Sequence, residues 1–116
     1  MRNYQLTIIT ENQKQLRKAE EVAALIQVDL AIQPAPEITK YDKFPNSWKI
    51  KFSGKFKSDS EFISEAVELT DRIASPWTVR YIRPEGEIEL LFNHSPHCQY
   101  SRLRFNVVHW AHFETF

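Results

Sequence analysis

Residues 58–93 read SDSEFISEAVELTDRIASPWTVRYIRPEGEIELLFN, and they carry the clearest secondary-structure signals in the chain. Ser58 and Glu61 have the spacing of a capping box, in which each side chain accepts a hydrogen bond from the other residue's amide at the start of a helix. Apolar residues then recur at steps of three and four and predict one buried stripe: Phe62, Ile63, Ala66, Leu69 and Ile73. Because Pro76 has no amide hydrogen and disfavours helical angles at Ser75, the helix is predicted to end there.

A period of two replaces the helical period at Trp77. It predicts a strand from Trp77 to Arg83, with the Trp77 ring mostly buried. The segment Arg83-Pro84-Glu85-Gly86 has proline second and glycine fourth, which favours a tight turn. The return strand has apolar residues at alternate positions: Ile88, Leu90 and Phe92. Glu87 and Glu89 share its other face, where cross-strand ion pairing with Arg80 and Arg83 is expected.

The rest of the chain supplies four more strands or strand candidates and a second helix. Alternation predicts strands at residues 4–9, 38–41 and 48–56, and from Arg102 to about Phe113. Thr10, with Gln13, is predicted to cap a helix whose apolar stripe is Leu16, Ala19, Val22, Ala23 and Ile26. Residues 28–32 fit either a continuation of that helix or a short strand. Residues 93–101 are predicted to form a loop.

The order of these elements predicts one α+β domain over residues 1–116. Strand, helix, strand, strand, helix, strand is the order of a ferredoxin-like split βαβ sheet, with two helices on one face. The C-terminal hairpin and strand are then expected to extend that sheet beside the strand at residues 77–83.

Composition limits the functional classes. The 116 residues carry 15 basic and 15 acidic side chains, so the overall charge favours neither a polyanion nor a membrane surface. Two glycines are too few for a phosphate-binding glycine-rich loop. No apolar run approaches the roughly 20 residues of a membrane span, and the N-terminal residues lack an apolar signal core. The single cysteine cannot form an internal disulfide, so a cytoplasmic protein is expected. No cofactor is expected either.

All four histidines and the cysteine fall close together in the sequence: His94, His97, Cys98, His109 and His112. They supply enough ligand types for zinc, but residues 109 and 112 of one strand point to opposite faces and do not chelate one ion. Cys98 beside His97 has the residue types of a thiolate and imidazolium pair, but adjacent residues rarely act together. We therefore expect no metal site and no enzyme activity.

Residues 40–57 combine six lysines with aromatic residues and a single acid, Asp42. Rings stack on bases and ammonium groups pair with phosphates, so single-stranded nucleic-acid binding is one reading of this stretch. It does not match the RNP1 motif of an RNA-recognition motif. In the alternative reading the rings face the core, and the lysines form a solvated edge.

Acidic residues concentrate in the next part of the chain. Residues 59–71 contain five acids and no base, and the following hairpin adds three more acids. As a set they are expected to complement a basic partner. The candidate partner-binding residues are Glu61, Glu65, Glu68, Glu85, Glu87 and Glu89.

The segment from Glu61 to Trp77, with its continuation Glu87 to Asn93, resembles the small immunity proteins of contact-dependent growth inhibition and related bacterial polymorphic toxin systems. The resemblance implies a single-domain, cytoplasmic, non-catalytic inhibitor that binds a cognate toxin domain, often over a nuclease active site. It carries no functional residue across, since these families share no motif. Single-stranded nucleic-acid binding through residues 40–57 remains the alternative function.

Overall fold

The computed structural model describes residues 2–82 and 86–116, which form two α-helices and two antiparallel sheets. The strands are β1 Asn3–Thr10, β2 Glu37–Lys40, β3 Trp48–Lys55, β4 Ala74–Ser75, β5 Thr78–Ile82, β6 Glu87–Asn93, β7 Gln99–Tyr100 and β8 Val108–Thr115. The helices are α1 Leu16–Leu30 and α2 Phe62–Asp71, with a 3-10 helix at Leu103–Val107. The predicted α+β class is therefore confirmed. Within the described ranges, neither helix is long and apolar enough to cross a membrane.

The larger sheet has the strand order β2-β3-β1-β8-β6-β5, and β4 pairs with β7 in a separate small sheet. The predicted split βαβ is present in the first half, where β3 lies between β1 and β2. The second half differs from the ferredoxin-like order, because β5 lies at the far edge and β8 occupies the position beside β1. Burial explains the exchange: β8 carries alternating buried residues, whereas every residue of β5 is exposed.

Both helices cover the same face of the sheet, and the core lies beneath them. One row of directly paired residues crosses four strands and is fully buried: Phe52, Leu6, Phe113 and Leu90. The next residue in that row is Val79 of β5, which is 43% exposed. The helical layer therefore ends over β6 and leaves β5 uncovered.

The predicted helix starts were wrong in both cases. Helix α2 begins at Phe62, and Glu61 at its N-cap makes no side-chain capping bond, while Ser58 hydrogen-bonds to Ser60 instead. Thr10 belongs to β1, and its hydroxyl accepts a hydrogen bond from the Trp48 amide at 3.3 Å. The hydroxyls of Ser58 and Thr10 are thus each used in a contact other than the predicted cap.

The helix ends also differ from the predictions. Helix α2 stops at Asp71, before Ser75-Pro76, and Ile63 is 37% exposed instead of joining the buried stripe. The ambiguous segment after Ile26 continues α1 to Leu30, and Ala31 closes that helix in the left-handed conformation with φ of 54°.

The C-terminal region holds the largest error of the sequence analysis. Residues 103–107, predicted to begin a long strand, form the 3-10 helix, in which Phe105 is buried and Leu103 is 84% exposed. The predicted loop at residues 93–101 contains the short strand β7. A short apolar alternation fits a strand or a turn of 3-10 helix equally well, so the pattern alone did not separate them.

The central hairpin keeps its predicted pairing where it is described. Arg80 lies opposite Glu89, and their side chains form the predicted ion pair at 3.3 Å. Trp77 is half-buried, and its indole nitrogen donates to the Ala74 carbonyl at 2.7 Å. The predicted turn at Arg83, Pro84 and Glu85 lies outside the described residues.

Gly54 is required by the close approach of the Tyr4 ring. A Cβ atom at residue 54 would overlap that ring, which is stacked on Phe113 with centroids 4.8 Å apart and so has little room to move. We expect Gly54→Ala to lower the free energy of unfolding by about 1–3 kcal/mol, the usual cost of overpacking a core. Urea denaturation measures the change. Ser53→Ala, at the exposed neighbouring position, is the control and should leave the midpoint nearly unchanged.

Burial, reinforced by the negative charge of Glu65, raises the pKa of Tyr4 to about 12. An unfolded tyrosine ionises near pH 10. The stability from keeping the Tyr4 phenol neutral is therefore complete below about pH 10 and is lost as the pH rises from about 10 to 12. We expect Tyr4→Phe to reduce the loss of melting temperature across that pH interval, measured by circular dichroism. An equal alkaline loss in both proteins would contradict this assignment.

Candidate functional site

Three of the predicted partner-binding acids lie on one flank of α2. Glu61, Glu65 and Glu68 follow one another at helical steps of four and three residues, so they share that flank. Glu61 and Glu68 are exposed and Glu65 is half-buried. We call these three residues the acidic flank. The helical period alone predicts this grouping from the sequence.

The acidic flank borders a shallow depression between α2 and the C-terminal end of α1. Lys55, Lys57 and Arg72 line the same depression. Both carboxylate oxygens of Glu65 accept from the Lys57 amide, at 2.9 and 3.2 Å, while Glu68 forms an ion pair with Arg72 at 3.0 Å. Glu65 therefore has a structural role, whereas Glu61 and Glu68 are the acids most available to a partner.

The hairpin acids are not part of the acidic flank. Glu89 lies on the face of the sheet that the helices do not cover, which we call the open face. Glu87 accepts from Arg2 and from the Thr115 hydroxyl, both at 2.6 Å, and its side chain is 20% exposed. Both described hairpin acids are thus half-buried and already paired. Glu85, the third hairpin candidate, lies outside the described residues.

Apolar side chains are exposed where the helical layer ends. Val79 and Tyr81 pair with the buried residues Leu90 and Ile88, so they point to the helix-covered side, yet they are 43% and 64% exposed. Ile63 and Val67 of α2 are 37% and 41% exposed, and the helical period places them on the flank opposite the acidic flank, away from the depression that α2 forms with α1. We call these four residues the apolar edge patch.

The open face brings together a group that the sequence analysis missed. Glu89, His112 and Glu114 have potential metal-ligand atoms within 4.8 Å of one another, and all three side chains are half-buried. His112 Nε2 lies 2.8 Å from Glu89 Oε2. The residues come from two strands, and their proximity depends on the pairing of β6 with β8, which no local pattern reveals.

The histidines and the cysteine singled out in the sequence are spread over several environments. Tyr100 donates its hydroxyl hydrogen to the Val108 carbonyl at 2.8 Å and lies 2.8 Å from His94 Nδ1, so His94 donates from Nδ1 to the phenol oxygen. Burial raises the pKa of the Tyr100 phenol above its ordinary value. Cys98 Sγ lies 3.8 Å from the same His94 nitrogen.

The contacts of His94 and Tyr100 stabilise the segment that connects β6 to β8. His109 Nδ1 lies 3.2 Å from Glu11, whereas His112 contacts a different acid, Glu89. Among the described residues, the three-ligand group on the open face is the only one of its kind, and none forms around Cys98.

The basic and aromatic stretch is divided between the two faces of the sheet. Phe52 and Phe56 are buried in the core, and Trp48 donates its indole hydrogen to the Gln13 carbonyl at 2.8 Å. Lys49 and Lys51 lie on the open face, since they pair with Ile9 and Thr7. Phe52 and Phe56 are therefore unable to stack on bases that contact those lysines.

Comparison with known proteins adds no relative to this description. No protein-family model, no curated protein and no solved structure matches the chain.

Proposed function

We propose that this protein is a non-catalytic protein-binding module, and most specifically a cytoplasmic immunity protein that binds and neutralises a cognate toxin domain. The observation that carries the proposal is the exposure of the apolar edge patch on the same molecule as the acidic flank. Ile63 and Val67 of the patch lie on one flank of α2 and the acidic flank lies on the other, so this helix presents both apolar and acidic residues to a partner.

This arrangement has the composition of a protein-protein interface. The fully buried part of an interface is apolar and rich in aromatic residues, and charged residues surround it. Tyr81 is 64% exposed and belongs to a residue type that often dominates binding energy. Among residues 2–82 and 86–116, strand β5 pairs only with β6, so its outer edge offers unpaired backbone groups to an added strand.

The acidic flank supports a basic partner. A nuclease toxin holds phosphates with basic side chains, so its active site attracts an anionic surface. Exposed acids such as Glu61 and Glu68 act mainly by accelerating the encounter between the proteins, while apolar contacts determine how slowly the complex dissociates. The two surfaces therefore affect different rate constants.

The first test uses the C-terminal domain of the protein encoded immediately upstream as the binding partner, with surface plasmon resonance as the measurement. We expect Tyr81→Ala to weaken binding by about 2 kcal/mol or more, mainly through faster dissociation, because an exposed aromatic residue at an interface centre is a typical hot spot. Thr78→Ala is the control on the same strand. Binding that is unchanged in Tyr81→Ala would remove the apolar edge patch from the interface.

The second test concerns the acidic flank. The double variant Glu61→Lys and Glu68→Lys should associate more slowly and show a weaker dependence on salt, because it reverses two steering charges. Glu65 is left intact since it holds the Lys57 amide. Circular dichroism should be unchanged, because the ion pair lost at Glu68 is exposed and contributes little to stability.

The control variant Lys49→Glu with Lys51→Glu changes the open face and also tests the alternative function. Protein binding should persist in this variant. If it abolishes function while wild-type protein retards single-stranded RNA at moderate salt, nucleic-acid binding replaces the immunity proposal.

A further inference from the structure

The open face holds two glutamates in an unfavourable arrangement. Glu89 of β6 and Glu114 of β8 are directly opposite each other in the sheet. Like charges in directly opposed positions destabilise a strand pair. Both side chains are half-buried, so solvent screens their repulsion less than on a fully exposed surface.

Only one of these glutamates has its charge compensated. Glu89 pairs with Arg80 at 3.3 Å and with His112 at 2.8 Å. Glu114 has no hydrogen-bond or ion-pair partner in the part of the chain that the structure describes. Arg80 contacts Glu89 and not Glu114, and the potential ligand atoms of Glu89, His112 and Glu114 lie within 4.8 Å of one another.

We propose that Glu89, His112 and Glu114 form a binding site for a first-row divalent metal ion, with Zn²⁺ as the representative. This goes beyond the proposed protein-binding function and does not depend on it, because the site lies on the opposite face from α2. The site differs from the cluster around Cys98 that the sequence drew attention to, and the two share only His112.

The donor atoms decide which ions fit. One imidazole nitrogen and two carboxylate oxygens form a mixed set that suits zinc and its first-row neighbours, whereas magnesium and calcium prefer oxygen ligands alone. Three protein ligands leave a fourth position for water, which reaches the open face because the helices cover the other side. The metal adds two positive charges between the opposed glutamates and so removes the repulsion that the strand pairing creates.

Trp110 provides a local probe of the site. Its ring centroid lies 5.9 Å from that of His112. A paramagnetic ion such as Co²⁺ bound to His112 should therefore quench the Trp110 fluorescence, and this signal does not require knowledge of any activity.

The experiment titrates the chelator-treated 116-residue protein with Zn²⁺ by calorimetry and with Co²⁺ by fluorescence. We expect one Zn²⁺ per chain, a higher melting temperature with Zn²⁺ than with Mg²⁺, and Co²⁺ quenching that Trp110→Phe largely removes. His112→Gln and Glu114→Gln should each weaken Zn²⁺ binding by about tenfold or more. Mutating a hydrogen-bond partner of a metal ligand already costs about this factor, and the loss of a direct ligand should cost at least as much. His109→Gln, the matched histidine on β8 that contacts Glu11, should bind as wild type does.

Two results would overturn the proposal. The first is the absence of Zn²⁺ binding in calorimetry. If Glu114→Gln then also raises the melting temperature, the group is an ion-pair cluster in which Glu114 is repelled by Glu89. The second is an equal loss of binding in His109→Gln and His112→Gln, which would place the ion elsewhere. Circular dichroism of each variant confirms that the fold is retained, and glutamine keeps the size of glutamate and much of that of histidine.

Discussion

The pairing of β1 with β8 is the interaction on which the rest of the structure depends. Strand β1 binds β3 on one side and β8 on the other, and β8 alone joins β1 to the β6 and β5 half of the sheet. The buried row from Phe52 to Leu90 crosses this junction at Leu6 and Phe113. Without β8, the sheet would consist of two separate parts, each with an exposed apolar face.

The central position of β8 also explains both surfaces considered above. It displaces β5 to the edge of the sheet, beyond the reach of the helices, and this leaves Val79 and Tyr81 exposed. It also brings Glu114 opposite Glu89 on the open face. A single choice of strand order therefore creates an apolar surface on one side and a group of potential metal ligands on the other.

The sequence predicted those features that depend on neighbouring residues. Alternation located β1, β3 and β6, the helical period placed Glu61, Glu65 and Glu68 on one flank, and the hairpin pairing correctly predicted the Arg80 and Glu89 ion pair.

Features that depend on distant partners were missed. The strand order follows from which strands carry a buried face, as β8 does and β5 does not, and Glu114 becomes noticeable only when β8 pairs with β6. The predicted start of α1 failed for a related reason, because Thr10 is occupied by a contact with Trp48, 38 residues away.

The two ends of the described chain meet beside each other at one end of the two central strands of the sheet. The Phe116 amide donates to the Asn3 carbonyl at 2.9 Å, so β1 begins where β8 ends. Segments fused before Asn3 and after Phe116 would leave the domain side by side. The domain is accordingly suited to insertion into a surface loop of a carrier protein, and to circular permutation with a short linker between its ends, because neither change requires the central strands to separate.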